Sequence, residues 1–313
     1  MTATLPDRVT PDVAPAAPAR RRVVPARPRE PRLPGPRDET AAIVSTAGTM
    51  LALVCLWVVA QMLLLSGFAQ ERSQELLYQQ FRTDIASATA PIGPVTPVGE
   101  PVALLEIPTL DVSQVVVEGT ASGDTLAGPG HLRKSVLPGQ VGTSVVMGRA
   151  ATYGAPFRDL GELVPGAPIT VVMAQGEVTY EVVNVRRAGD PYSQPLAAGA
   201  SRLTLVTAEG RGNLSALTPG SVLYIDADAP KGFVPPPGLP SAVPDPELAM
   251  HSDPGAYPLL ALHLALLLAV TLGVVAARQR WSARLVWIIA APVALALAWS
   301  TTDVVMRLVP NLV

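Results

Sequence analysis

The chain has 313 residues, of which 49% are apolar and only 15% charged, a membrane-protein composition with room for one folded domain of about 150 residues. Its single cysteine excludes an intrachain disulfide and a cysteine-based metal site. The three histidines are too scattered to form a ligand set, so we expect neither a metal nor a cofactor. The formal net charge of −2 conceals basic and acidic segments that are separated along the chain.

The first 68 residues predict a tail followed by a membrane anchor. Residues 1–40 are rich in proline, alanine and arginine and cannot bury enough apolar surface to fold, so we predict a disordered tail. Its arginines favour contact with the cytoplasmic leaflet over nucleic-acid binding. Residues 41–68 are uncharged and long enough to cross a membrane, with no cleavage pattern after them. They predict an uncleaved transmembrane helix 1.

The next segment, residues 69–101, predicts a helix that leads outward into a stiff linker. Apolar residues recur at roughly helical spacing among polar ones from residue 70 to residue 87, at Leu76, Leu77, Phe81 and Ile85. We expect this apolar stripe to pack on the neighbouring domain or on the membrane surface. Residues 88–101 are rich in proline and predict the linker.

Residues 102–229 predict an all-β domain with a closed or nearly closed barrel, because short strands alternate with glycine and proline turns. With 13 acidic and 8 basic side chains between residues 100 and 229, the domain argues against a nucleic-acid partner. A short helix is expected near residues 156–163. The predicted strands are Val102–Ile107, Gln114–Glu118, Thr143–Met147, Ile169–Met173, Val178–Val185, Arg202–Thr207 and Val222–Asp226.

The remaining residues predict two more membrane spans. The segments are a proline-rich linker at 230–256, transmembrane helix 2 at 257–277, a basic loop at 278–284 and transmembrane helix 3 at 285–309. The arginines of the loop indicate a cytoplasmic location. Together with the basic tail, they predict a multi-pass cell-membrane protein with a cytoplasmic N-terminus and an extracytoplasmic β-domain. Asp303 and Arg307, four residues apart near the outer end of the last span, are spaced to pair on one helix face.

Two motifs at strand ends carry the functional signal. Thr204-Leu205-Val206-Thr207 closes a buried strand and leads into Ala208, and residues 145–157 read Val-Val-Met-Gly-Arg-Ala-Ala-Thr-Tyr-Gly-Ala-Pro-Phe. With residues 104–108, 115–119 and the turn at 128–131, they follow the chain order of the sortases, the membrane-bound cysteine transpeptidases. The chain thus resembles a sortase of the class E type found in Gram-positive, actinobacterial cell envelopes.

The resemblance also implies which residues a working site would need. A sortase has its catalytic cysteine after the Thr-Leu-x-Thr motif, a catalytic histidine in a Gly-His-Arg motif, and an arginine on the following strand. Ala208, Arg149 and Val222 stand at these positions. Alanine offers no nucleophile, and an arginine cannot give up its proton near neutral pH. The only cysteine, Cys55, lies in the predicted first span, so we predict a degenerate site without catalytic residues.

Residues around that site remain candidates for binding, namely Arg149, Tyr153, Thr207, Glu209 and Arg211. The guanidinium fork of Arg149 suits a carboxylate or phosphate, and a salt bridge to Glu209 is the alternative. Thr207 would need a base, of which only Glu209 is near in sequence, to act as a nucleophile. His131, the only histidine of the domain, resembles a non-catalytic residue of the family.

The leading hypothesis is a membrane-anchored, non-catalytic sortase-like protein that binds or scaffolds a surface-protein peptide, a sorting-signal-like peptide or a sortase partner. A barrel groove is able to bind an extended peptide after its chemistry is lost. Two alternatives stay open. One is an active, cysteine-independent transpeptidase or hydrolase with a displaced catalytic set, and the other is an accessory subunit of a membrane complex.

Overall fold

The computed structural model describes residues 52, 55–93, 95–209, 221–278 and 281–313. The basic tail, about half of the predicted first span and Arg211 lie outside these residues. Eight strands form a closed barrel in the order β1-β2-β3-β4-β7-β8-β6-β5. They are β1 Pro101–Ile107, β2 Val112–Glu118, β3 Gly130–His131, β4 Gly142–Met147, β5 Pro168–Met173, β6 Gly176–Arg187, β7 Ser201–Glu209 and β8 Ser221–Ala229.

The barrel confirms the predicted all-β domain, and the seven predicted strands lie within seven of its eight strands. In β6 the alternation is clear, because Val178, Tyr180 and Val182 are buried while Glu177 and Glu181 are exposed. β3, with two residues, was interpreted from the sequence as a turn. The predicted short helix is a single 3₁₀ turn at Leu160–Glu162.

Strand β7 has apolar clusters on both of its faces. Leu203 and Leu205 belong to the main core inside the barrel, whereas Val206 and Ala208 belong to a second cluster. Because side chains alternate along a strand, Ala208 points away from the barrel interior. β7 pairs in parallel with β4 and antiparallel with β8, so the ends of β4 and β7 meet the start of β8 at one rim.

The helix before the barrel, α1 (Ser66–Ala86), continues a π-helical turn at Gln61–Leu65. Of the four residues of its apolar stripe, Phe81 is buried, whereas Leu76 and Ile85 are exposed. A glutamine side chain also attaches the helix to the barrel. Gln74 donates to the main-chain oxygens of Val115 and Ala127 and accepts from the Val115 amide.

Two helices after the barrel are long and apolar enough to cross a membrane. They are α2 (Tyr257–Arg278) and α3 (Ala283–Arg307), whose candidate spans have mean hydropathies of 2.1 and 1.8. The last turns of α3 pack against the barrel, where Thr302 and Met306 are fully buried.

Asp303 and Arg307 of α3 do not pair with each other, contrary to the spacing argument. The Tyr153 hydroxyl donates to Asp303, and Arg307 forms a salt bridge with Asp253 at 3.0 Å. Tertiary contacts on the barrel side thus replace the local helix pair.

The predicted linker at 230–256 also contacts the barrel. Phe233 exchanges main-chain hydrogen bonds with Val141 and Gly139, and the buried Glu247 forms a salt bridge with Arg133. This segment therefore returns along the barrel surface before it enters α2.

Candidate functional site

The predicted site lies at the rim where β4, β7 and β8 meet. Ala208 and Val222 are direct partners in the β7–β8 pairing. The Gly148 amide, just beyond β4, donates to Val206 at 3.0 Å, and the Thr207 hydroxyl donates to the Gly148 oxygen at the same distance. The structure therefore brings together the three positions at which the resemblance expects cysteine, histidine and arginine.

Gly148 fixes the direction in which the chain leaves β4. An added Cβ at this position would lie 2.4 Å from the Phe157 ring, which is fully buried in the core. The absence of a side chain lets the ring lie directly beneath the main chain. The next residue, Arg149, is thereby held at the rim.

Arg149 is completely buried and donates to main-chain and hydroxyl oxygen atoms. One guanidinium nitrogen donates to the Val313 main-chain oxygen at 2.7 Å and to the Thr152 hydroxyl at 3.1 Å. The other donates to the main-chain and hydroxyl oxygens of Ser122, each at 2.8 Å. No carboxylate side chain among the described residues forms a salt bridge with it. Burial lowers the pKa of Arg149 to about 10, so the side chain remains a cation at neutral pH.

Tyr153 covers the guanidinium from a strained loop. Tyr153, Gly154 and Ala155 all have φ between 45° and 74°, a region that residues with a side chain rarely adopt. The Tyr153 ring centroid lies 5.7 Å from Cζ of Arg149. Burial and the hydrogen bond to Asp303 raise the pKa of Tyr153 well above its ordinary value, so it acts as a neutral donor.

The remaining space beside Ala208 is occupied by residues that follow α3. Leu312 is fully buried in a cluster with Met147, Ala150, Val206 and Ala208. The Ala150 amide donates to the Leu312 oxygen at 2.9 Å. A leucine side chain therefore lies where the resemblance places a reacting group.

The other predicted binding residues are engaged elsewhere. Glu209 forms a salt bridge with Arg187 on β6, so the proposed Arg149–Glu209 salt bridge is wrong. Thr207 is buried and directs its hydroxyl at Gly148. Neither arrangement places a base beside a free hydroxyl.

A buried acid–histidine–hydroxyl chain lies in the same part of the barrel. The Nδ1 atom of His131 lies 2.8 Å from Glu118, and its Nε2 atom lies 3.0 Å from Ser135 Oγ and 2.8 Å from the Val136 oxygen. The Ser135 hydroxyl also donates to Leu132 and accepts from the Val145 amide. Because all three side chains are buried and hydrogen-bonded, the chain of contacts joins β2, β3 and β4 structurally.

Sequence reasoning missed several residues that complete the site, namely Ser122, Thr152, Asn311, Leu312 and Val313. Ser122 and Thr152 are ordinary loop residues in the sequence, and the last three follow an apolar helix. A buried arginine needs acceptors. This requirement predicts that Arg149 has hydrogen-bond acceptors, but it does not identify which residues of the chain provide them.

The barrel region also matches a known family model. The family model described as "Sortase domain" matches residues 105–215. The barrel region therefore matches a sortase domain over these residues.

Among characterised proteins, Sortase D of Bacillus subtilis (strain 168) is 34% identical over 118 residues. The match covers 38% of this chain and 57% of that protein, so the chain spans little more than half the length of this relative.

Solved structures with a related barrel include sortase E from Streptomyces avermitilis, at 26% identity and a TM-score of 0.35. That match covers 43% of this chain and 90% of that one. A Clostridium perfringens Sortase D5 transpeptidase is 17% identical with a TM-score of 0.39, covering 51% of this chain and 97% of the other.

Proposed function

We propose that the chain is a membrane-anchored, extracytoplasmic sortase-domain protein without transpeptidase chemistry, which binds or scaffolds a surface-protein peptide, a sorting-signal-like peptide or a sortase. The observation that supports it most is the composition of the rim. Ala208 faces Val222 across β7 and β8, and Arg149 is buried among main-chain and hydroxyl oxygens. The rim offers a thiol at none of these positions, and transpeptidation by a sortase needs a thiolate.

The proposed topology rests on charge. The basic tail and the basic loop at 278–284 are both assigned to the cytoplasm, which leaves the barrel between the first and second spans outside. The two apolar helices α2 and α3 support a membrane location for the hairpin that they form.

A transpeptidation assay tests the absence of chemistry. The full chain in detergent is incubated with a panel of sorting-signal peptides and a nucleophile, beside the double variant Ala208→Cys, Arg149→His. We expect no turnover by the unaltered chain and measurable binding of at least one peptide. Turnover by the unaltered chain that is lost in Ala208→Gly would overturn the proposal and favour an active enzyme.

A second candidate function, accessory subunit of a membrane complex, is favoured by an apolar groove of about 220 Å³ between α2 and α3, lined by residues such as Gly273, Ala277 and Trp281. An added side chain at Gly273 meets open space, so Gly273→Leu fills the groove without disturbing the barrel. Native electrophoresis of solubilised membranes separates the two candidates. An assembly that Gly273→Leu dissociates would favour the subunit, whereas an assembly that survives it would favour the barrel as the binding part.

A further inference from the structure

Residues 308–313, which we call the post-helix segment, leave α3 and enter the rim of the barrel. Asn311 and Leu312 are fully buried, and Val313 is 3% exposed. Burial this complete is unusual for a short segment outside regular structure. It requires that the main-chain polar groups find partners in the barrel.

The barrel and its adjoining loops supply those partners. The Ser122 hydroxyl lies 2.7 Å from the Val309 oxygen, and the Thr125 hydroxyl donates to the Asn311 oxygen at 3.1 Å. The Ala150 amide donates to Leu312, and Arg149 and Thr152 both donate to Val313. The barrel thus contacts the main-chain oxygens of four of the six residues, and such contacts are how a protein recognises an extended peptide main chain.

Two side chains of the segment add sequence selectivity. The Asn311 amide nitrogen donates to the main-chain oxygens of Thr120 at 2.7 Å and of Leu248 at 3.0 Å. Leu312 fills the apolar recess that contains Ala208. The recess accepts a branched aliphatic side chain because residue 208 is small.

We propose that the post-helix segment is an intramolecular ligand of the degenerate sortase site, and that the site takes a second peptide of the same kind only when the segment leaves. The ligand class is an extended peptide with an amide side chain followed by a branched aliphatic one. The inference rests on the proposed function in one respect, namely that the groove binds peptide rather than cleaving it.

A tethered ligand has a large advantage over a free one. Its effective concentration is in the millimolar range for a short connection, so a free peptide of equal intrinsic affinity competes poorly. The affinity measured for a free peptide is further reduced because the segment has left the site in only a small fraction of the molecules. A full-length chain therefore binds such peptides weakly until the segment is displaced.

Thiol labelling reports directly on whether the groove is covered. In a Cys55→Ser, Ala208→Cys background the introduced thiol lies beneath Leu312, since Cys55 is the only native cysteine. The full chain in lipid nanodiscs is labelled with a maleimide, with and without the added substitutions Asn311→Ala and Leu312→Ala. Leu308→Ala is the matched control, because Leu308 belongs to the same segment and lies outside the cluster around Ala208.

We expect labelling at least tenfold faster with Asn311→Ala and Leu312→Ala than in the background or the Leu308→Ala control. An amidated hexapeptide of residues 308–313 should then restore slow labelling in the weakened variant, whereas the same peptide with Asn311→Ala should not. Equal labelling rates would overturn the inference. Fast labelling that the hexapeptide fails to slow would overturn it as well, because the segment would then be a structural cover.

A thermal unfolding transition for each variant establishes that the barrel is folded. If the variant with both substitutions unfolds, Asn311→Ala alone is tested instead. It should give an intermediate labelling rate that the hexapeptide lowers. A rate equal to that of the background, or one that the hexapeptide does not lower, would refute the inference. Turnover of a sorting peptide by the unaltered chain would refute the proposed function while leaving this protection pattern intact. The two failures are therefore distinguishable.

Discussion

Two opposing free-energy contributions determine how the buried Arg149 affects the stability of the fold. Its pKa of about 10, against an ordinary value of 12.5, corresponds to a burial cost of about 3 kcal/mol for the charged form. Its hydrogen bonds satisfy Ser122 and Val313 oxygens, and an unsatisfied buried acceptor costs about 1–3 kcal/mol. The two contributions nearly cancel, so Arg149 adds little net stability.

We therefore predict that Arg149→Met changes the free energy of unfolding by no more than about 1 kcal/mol, because a hydrophobic side chain of similar volume replaces a buried charge. Arg149→Ala, which leaves a cavity, should cost about 3 kcal/mol or more. Chemical unfolding of the full chain in detergent compares the two. Equal losses in both variants would identify Arg149 as a stabilising residue.

Asp124 should give the stability of the fold a distinct pH dependence. Burial raises the pKa of Asp124 to about 6 from 3.8, with a smaller contribution from Glu247. Because the folded-state pKa is the higher one, the protonated carboxyl stabilises the fold below about pH 4, and this stability is lost as the pH rises through 6.

Asp124→Asn should accordingly raise the unfolding temperature at about pH 7.5 and leave it nearly unchanged at about pH 4. The amide can still accept the Ala121 hydrogen bond that Asp124 accepts. Asp226 affects stability over a different pH range. Although burial opposes it, hydrogen bonds from Arg186, Ser193 and Thr204 lower the pKa of Asp226, so its contribution disappears only at more acidic pH. An unfolding temperature that Asp124→Asn raises equally at both pH values would contradict the assignment.

At the residue scale, the sequence allowed only half of the site to be predicted. The three rim positions follow from motif order, because each lies at the end of a strand with a recognisable pattern. The acceptors of Arg149 could not be predicted, since Ser122 is 27 residues before it and Val313 is 164 residues after it. No periodicity in a sequence encodes a contact of that separation.

Helix α1 is attached to the barrel by Gln74, whose side chain makes main-chain hydrogen bonds of the kind that a neighbouring strand would make. Gln74 both donates to and accepts from the main chain of Val115, on the side of β2 where pairing with β3 begins only at Val117. An unpaired strand edge with buried polar groups is costly, and the side-chain amide satisfies it.

Gln74→Ala should therefore increase the hydrogen-exchange rate of the Val115 amide by at least tenfold, since the amide loses its acceptor. Gln79→Ala, at an exposed position on the same helix, is the matched control and should leave that rate unchanged. Unaltered exchange in Gln74→Ala would mean that α1 does not protect β2.

At the element scale, strands with strong alternation were predictable and short or context-dependent elements were not. β3 has two residues, too few for a pattern, and exists because β2 and β4 flank it. The attachment of α1 through Gln74 does not follow from the spacing of its apolar residues. Local sequence does not reveal which strand edge a glutamine will meet.

At the scale of the whole molecule, Tyr153 and Asp303 couple the rim of the barrel to the end of α3. The Tyr153 hydroxyl donates to the Asp303 carboxylate across 150 residues of sequence. Residues that share a hydrogen bond show coupling energies of about 0.5–3 kcal/mol in double-mutant cycles.

Tyr153→Phe and Asp303→Asn should each destabilise the chain, and the double variant should lose less than the two losses added together. Thermal unfolding of all four forms in the same detergent gives the coupling energy. Tyr257→Phe, at an exposed tyrosine, controls for loss of a hydroxyl alone. Strictly additive losses would show that barrel and helix do not communicate through this contact.

The long separation between Arg149 and Val313 has a consequence for biosynthesis. The ribosome completes the whole barrel before it begins α2 and α3, and 164 residues separate the guanidinium from its last acceptor. At about 5–20 residues per second, this interval is on the order of 10 s or longer. A nascent chain thus carries an open rim until both apolar helices and the post-helix segment have been translated. Closure of the rim therefore follows synthesis of α2 and α3 rather than synthesis of the barrel alone.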